Sequence, residues 1–170
     1  MSGGRLTEFD AIRKQSIYGG GTMTEKECAL IDHQNILVAT DGSIYSERAL
    51  DQGIKLTQAC NSKLYIIHAI DLNPEYLAIS PKLEEKMETD GVDLLKKAKQ
   101  KAVGAGIRCE TIFTKSDPPY KAIVNTAKEK KVNLIIMGSH GRNAITRLLM
   151  GSVTRLVIGH APCAVLVVPK

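Results

Sequence analysis

A chain of 170 residues is long enough for one domain with a real core and too short for two ordinary ones. Its formal charge is +5, but the lysines bunch in Lys96-Lys-Ala-Lys-Gln-Lys101 and Lys128-Glu-Lys-Lys131, late in helical patterns where cations complement the negative helix end. With two Phe, no Trp and scattered Tyr there is none of the basic-aromatic interleaving that single-strand binders use, so no nucleic-acid partner is expected.

Cys28, Cys60, Cys109 and Cys163 form no Cys-x-x-Cys pair and are expected as reduced thiols. His33, His68, His140 and His160 lack metal-ligand spacing with any Cys or carboxylate, so no metal site is expected from them. The N-terminus lacks the apolar core of a signal peptide, and no run approaches the ~20 apolar residues of a membrane span. The expected setting is the cytoplasm, with no membrane contact.

Residues 1–33 carry Gly3-Gly4 and Gly19-Gly-Gly21 with weak periodicity, and are expected to be a mobile arm, an upstream extension or a cloning remnant. The domain proper then covers 34–170. Asn35 to Thr40 reads as a buried strand, and Asp41-Gly-Ser43 turns the chain into a helix with an apolar stripe of Ala49, Leu50, Gly53, Ile54 and Leu56. Ser43 is the expected N-cap. Asp41 has two readings: a turn residue satisfying local amides, or a polar group that meets a ribose or a metal-phosphate at the strand end.

Lys63 to Ile70 is the second strand, with His68 expected as a core or strand-end histidine. Ser80-Pro81 offers an N-cap and a first-turn proline for a long amphipathic helix ending near Gly104-Ala-Gly106. Arg108 to Thr114 is the third strand, and Ser116-Asp-Pro-Pro119 caps the helix that carries Ala122, Ile123 and Ala127. Val132 to Met137 is β-branched and almost unbroken in its apolar character, as in a strand buried on both faces. A final helix runs from Gly151-Ser152 to Gly159 or His160, and Cys163 to Val168 is the fifth strand. Regular alternation of five strands with four helices implies an α/β fold with an open, doubly wound parallel sheet.

The stretch Gly138 to Ser152 stands where the fourth strand ends, which is where ligands bind in open α/β sheets. Gly138 and Gly141 can take backbone angles closed to other residues and let the chain approach a ligand closely. Gly151-Ser152 opens a helix whose first amides lack intrahelical partners and suit an anion. Ser139, Ser152 and Arg142 either contact phosphates or cap helices and face solvent. The chain has no Gly-x4-Gly-Lys-Ser/Thr and no Gly-x-Gly-x-x-Gly, which argues against P-loop and dinucleotide chemistry.

Gly138-x2-Gly141-x9-Gly151-Ser152, with Met137-Gly-Ser-His-Gly-Arg142 and Leu149-Met-Gly-Ser-Val153 around it, resembles the ATP-binding signature of the universal stress protein family. The resemblance runs from about Asn35 to Pro169. It implies the strand order 3-2-1-4-5 and a switch point between strands 1 and 4, which brings Asp41 beside Gly138. It also implies a nucleotide site of Thr40, Asp41, Ala69, Met137, Gly138, Ser139, His140, Gly141, Arg142, Gly151, Ser152, Val153 and Thr154, with ATP and Mg2+ as ligand and Ala69 against the adenine. The implied role is an ATP-binding stress-response or signalling module that homodimerises through the C-terminal strand. The alternatives are a slow ATP hydrolase and a nucleotide-independent dimeric scaffold. No catalytic residue is assigned, because only His140 and Asp41 are candidates for a base and neither has a visible partner for developing charge.

Overall fold

In the computed structural model, residues 34–71, 81–116, 118–142 and 150–169 are described, all within one unit, Asp32–Lys170. Five apolar runs form β1 (Asn35–Ala39), β2 (Lys63–Ile70), β3 (Cys109–Lys115), β4 (Leu134–Gly138) and β5 (Ala164–Val168). Every pairing is parallel, and the order is β3-β2-β1-β4-β5. The described helices between them number four: α1 (Ile44–Cys60), α2 (Pro81–Gly104), α3 (Pro119–Glu129) and α4 (Ser152–His160). The expected fold is therefore the observed one.

The central strands are apolar at successive positions because helices cover both faces of the sheet. Ile36, Val38, Leu64, Ile66, Leu134 and Ile136 pack with Ala49, Leu50 and Ile54 of α1 and with Leu95, Ala98 and Ala102 of α2. The alternate positions Leu37, Ala39, Tyr65, Ile67, Ile135 and Met137 pack with Ile123 and Ala127 of α3 and Val157 of α4. Eight of these strand side chains, Ile36, Leu37, Val38, Leu64, Ile66, Ile67, Ile135 and Ile136, are less than 2% exposed. Each contributes about 1.5–3 kcal/mol of transfer free energy, so the middle of the sheet is the rigid floor on which the loops stand.

Several boundaries differ from expectation for local reasons. Val132 is buried but lies outside β4, because its amide donates to Ala127 O (2.8 Å) and closes α3 rather than joining the ladder. Arg108 and Cys163 likewise stand just outside their strands. Ser116 does not cap α3: the N-cap is Pro118, without a side-chain cap, and Ser116 Oγ donates instead to Pro118 O (3.1 Å). The expected cap at Ser80 falls outside the described residues, as do residues 1–33. Cys109 and Cys163 are free thiols, whereas Cys60 is disulfide-bonded, which corrects the expectation of four reduced cysteines. Sequence spacing alone carries no information on which thiols meet in space. No described helix is long and apolar enough to cross a membrane.

Candidate functional site

Ala39 pairs with Met137 in register, so β1 and β4 end side by side at the point where the chain's windings diverge to opposite edges of the sheet. A crevice at such a switch point is the usual ligand position in open α/β sheets. The first wall is the turn after β1. Asp41 Oδ1 accepts from the Ser43 amide (3.0 Å), while Oδ2 accepts from the Arg142 amide of the loop after β4 (2.8 Å). One carboxylate thus clasps both loops. Burial alone would push the Asp41 carboxyl up, but hydrogen bonds from Ser43, Ser46 and the Arg142 amide outweigh it and hold the group below its ordinary value.

The turn itself is dense with internal hydrogen bonds. Thr40 Oγ1 donates to Ser46 Oγ (3.1 Å), Ser46 Oγ donates to Ser43 O (3.0 Å), and the Asp41 amide donates to Ser46 Oγ (3.3 Å). Ser43 caps α1 as expected, accepting from the Ser46 amide at 3.2 Å. The site role of Ser46 was not foreseen. Its signal in the sequence is a hydroxyl three residues beyond an N-cap serine.

The second wall follows β4. Gly138 is buried against α1, and a Cβ there would lie 2.7 Å from the carbonyl carbon and Cβ of Tyr45. Ser139 N donates to Val168 O and Gly151 N donates to Ser139 O, both at 2.9 Å, so the loop is tied to β5 and to the start of α4. Thr154 Oγ1 donates to Gly138 O (2.9 Å), so this side chain fastens α4 to the strand end. His140 leans on the Tyr45 ring with centroids 5.1 Å apart, and its Nδ1 is 2.9 Å from Ser139 Oγ. Its Nε2 is buried and has no hydrogen-bond partner among the described residues. Tyr45 is a second contributor that sequence reasoning did not single out.

The three signature glycines are not equivalent. Neither Gly138 nor Gly141 uses the left-handed backbone open to glycine; among the described glycines that conformation belongs to Gly42 and Gly106. Gly138 is needed for the close approach of Tyr45, and Gly141 because a Cβ would stand 2.7 Å from Asp41 Oδ2. Among the described residues Gly151 has no such neighbour. With φ −55°, its added Cβ would meet His140 Cα and Ser139 O at 3.4 Å, within ordinary contact. Gly151 is the N-cap of α4, no side-chain cap hydrogen bond is made there, and its own amide is the one that donates to Ser139 O.

Thr40, Asp41, Gly138, Ser139, His140, Gly141, Arg142, Gly151 and Thr154 are thus linked to one another across the strand ends. Ser152 is exposed at the helix start, and Val153 is half-buried against the core beneath α4. The Met137 side chain is packed in the core, so only its backbone is at the strand end. Ala69 stands one strand away, half-buried on β2 in register with Thr114. Residues 143–149 of the signature loop lie outside the described residues. No three His, Cys, Asp or Glu side chains are grouped to hold a metal among the described residues.

Known proteins share this architecture. The model of the universal stress protein family matches residues 33–169. The universal stress protein YxiE of Bacillus subtilis is 33% identical over 146 residues, covering 78% of this chain and 97% of its own. Among solved structures, hypothetical protein MJ0577 superposes with a TM-score of 0.74 at 28% identity, covering 81% of this chain and 96% of that one. A universal stress protein solved in complex with cAMP gives a TM-score of 0.62 at 30% identity, with 79% and 96% covered. By its sequence and its fold, the chain belongs to the universal stress protein family.

Proposed function

We propose that the protein binds a mononucleotide, ATP with Mg2+, in the crevice between the ends of β1 and β4, and serves as a nucleotide-dependent stress-response module in the cytoplasm. The observation that carries this reading is the N-terminus of α4, which has no side-chain cap and starts at a glycine that no close contact among the described residues requires. The unpartnered His140 Nε2 fits the same ligand, since a buried polar nitrogen without a partner is costly and a phosphate or nucleoside oxygen would relieve it. A relative captured with cAMP supports a nucleotide as the ligand class.

In this reading the amides of Ser152, Val153 and Thr154 and the Ser139 and Ser152 hydroxyls hold the phosphates, with Arg142 adding charge at the rim; the Gly151 amide is already given to Ser139 O. Asp41 meets the ribose or the metal-phosphate, and Ala69 and the Met137 backbone line the base. The ion arrives with the nucleotide, because Asp41 is the only carboxylate among the described members of the site. Bound ATP supplies charge and a phosphoanhydride. Among the described members of the site none is placed as a general base or an arginine-finger equivalent, so the chain supplies positioning and turnover is slow or absent. Through β5, whose Leu166 is 38% exposed and whose outer edge has no strand partner among the described residues, we propose a homodimer, since such an apolar edge invites pairing.

Calorimetric titration with Mg-ATP, Mg-ADP, AMP and cAMP tests the site. Saturable binding that strengthens with phosphate number is expected. No saturable heat at millimolar ligand with folded protein would overturn the reading, and equal affinity for AMP and ATP would remove the phosphate cradle while leaving an adenosine pocket. Light scattering at micromolar concentration tests the dimer, and a monomer would contradict it.

A further inference from the structure

We infer that His68 is a positioning residue for Asp41, holding by its carbonyl the same peptide that Ser46 holds by its amide. His68 Nδ1 is 2.7 Å from Thr40 O, and the Asp41 amide on the other side of that peptide unit donates to Ser46 Oγ at 3.3 Å. A carbonyl oxygen only accepts, so Nδ1 carries the proton and Nε2 of the neutral ring is bare. Gripped at both ends, the Thr40–Asp41 peptide cannot rotate, and the carboxylate direction that reaches both Ser43 N and Arg142 N follows from it. This inference rests on the reading of Asp41 as a nucleotide contact.

The ring's surroundings are built to keep it there. His68 is 7% exposed on a strand whose other buried side chains are Leu64, Tyr65, Ile66, Ile67 and Ile70. Gly91, in the middle of α2, makes the room: a Cβ there would lie 2.8 Å from His68 Cδ2 and 2.5 Å from Phe113 Cε2. The Phe113 ring of β3 closes the other side, with centroids 6.1 Å apart. The helix and strand packed on the imidazole thus present a glycine and a phenylalanine, and the charges acting on it are those of Arg142 and Asp41. Burial pushes His68 down, the Thr40 carbonyl and Asp41 push it up and Arg142 pushes it down; the balance lies below the ordinary histidine value. The ring is therefore neutral at pH 7, as a fixed Nδ1–H donor requires.

The test uses the full chain and two variants, His68→Leu, which has no donor, and His68→Asn, whose amide nitrogen stands as many bonds from Cα as Nδ1 does. Nitrogen NMR of the parent at neutral pH should show a protonated Nδ1 and a bare Nε2. In His68→Leu the Asp41 and Arg142 amide resonances should move and Mg-ATP affinity should fall about tenfold, the loss of one hydrogen bond's worth of placement. His68→Asn should recover most of both. A proton on Nε2, unmoved Asp41 and Arg142 resonances in the leucine variant, or equal impairment of the two variants would overturn the inference, the last by showing that ring packing alone matters. If His68→Leu does not fold, the parent tautomer and the asparagine variant decide. If the parent fails to bind Mg-ATP, the nucleotide reading falls, while the tautomer and the amide shifts still decide whether His68 places Asp41.

Discussion

α1 and α4 both begin at the same end of the sheet, each after one of the two central strands, yet their N-termini are finished in opposite ways. At α1 the chain closes its own donors: Ser43 Oγ takes the Ser46 amide and Asp41 Oδ1 takes the Ser43 amide. At α4 the corresponding position is Gly151, which has no side chain to offer, and the only hydroxyl that anchors the first turn, Thr154, is directed back to Gly138 O. A helix start left uncapped forgoes about 1 kcal/mol of capping. The two helix starts therefore differ: the first is capped by side chains and carries Glu47 in its first turn, while the second has neither a side-chain cap nor an acidic residue there, the difference on which the proposed anion site rests.

The sharpest separation of structural from ligand-facing positions comes from the glycines. Gly138→Ala forces a methyl to 2.7 Å from the Tyr45 backbone. It should destabilise the nucleotide-free protein by about 2–3 kcal/mol, a fall of roughly 5–10 °C in Tm by calorimetry. A Tm within a degree of the parent would mean that α1 does not press on β4 as described. Next in size is Ser43→Ala, which strips the cap from α1. Denaturant unfolding should show a loss of about 1 kcal/mol.

Acid titration probes the two ends of the β1 wall. His68 has a folded pKa below its ordinary value, so its contribution to stability is complete above about pH 6.5 and is lost as pH falls through the folded pKa. Asp41 is also depressed, so its contribution is complete above about pH 3.9 and lost on further acidification. Stability should accordingly decline first below about pH 6.5, at no more than about 1.4 kcal/mol per pH unit for this one group. Replacing His68 by Asn should flatten that first decline and leave the lower one. The smallest effect on stability is expected at α4. Ser152→Ala, at an exposed position with no capping role, should change it by less than about 0.5 kcal/mol while lowering Mg-ATP affinity.

The frame of this molecule was legible from its sequence because buried parallel strands and amphipathic helices write their periods plainly. Ser43 as a cap and the strand of Lys63 to Ile70 follow from local chemistry alone. The start of β4 did not, since whether the Val132 amide joins a ladder or closes α3 depends on a tertiary choice. The candidate site was readable as a set of residues and a place, through the glycine spacing. Its internal logic was not. Asp41 meets the Arg142 amide across 101 positions, and only that contact explains why position 141 excludes a side chain. His68 was visible as a polar residue in an apolar strand, but its purpose needs Gly91 and Phe113, which come from two other elements. Gly141→Ala, attractive from sequence as a test of phosphate contact, is thereby compromised, because its methyl would strike the Asp41 carboxylate with or without ligand.

Gly151→Ala is the cleaner probe, since among the described residues its methyl meets only ordinary contacts, with His140 Cα, Ser139 O and the Gly141 amide nitrogen. Calorimetric titration of Mg-ATP into the parent and this variant, with nucleotide-free melting measured alongside, tests the central claim most directly. The account predicts saturable binding by the parent and at least a tenfold weaker affinity in the variant, with stability lowered by less than about 1 kcal/mol. A variant that melts like the parent and binds Mg-ATP as tightly would contradict it, and the open start of α4 would then not be the phosphate site.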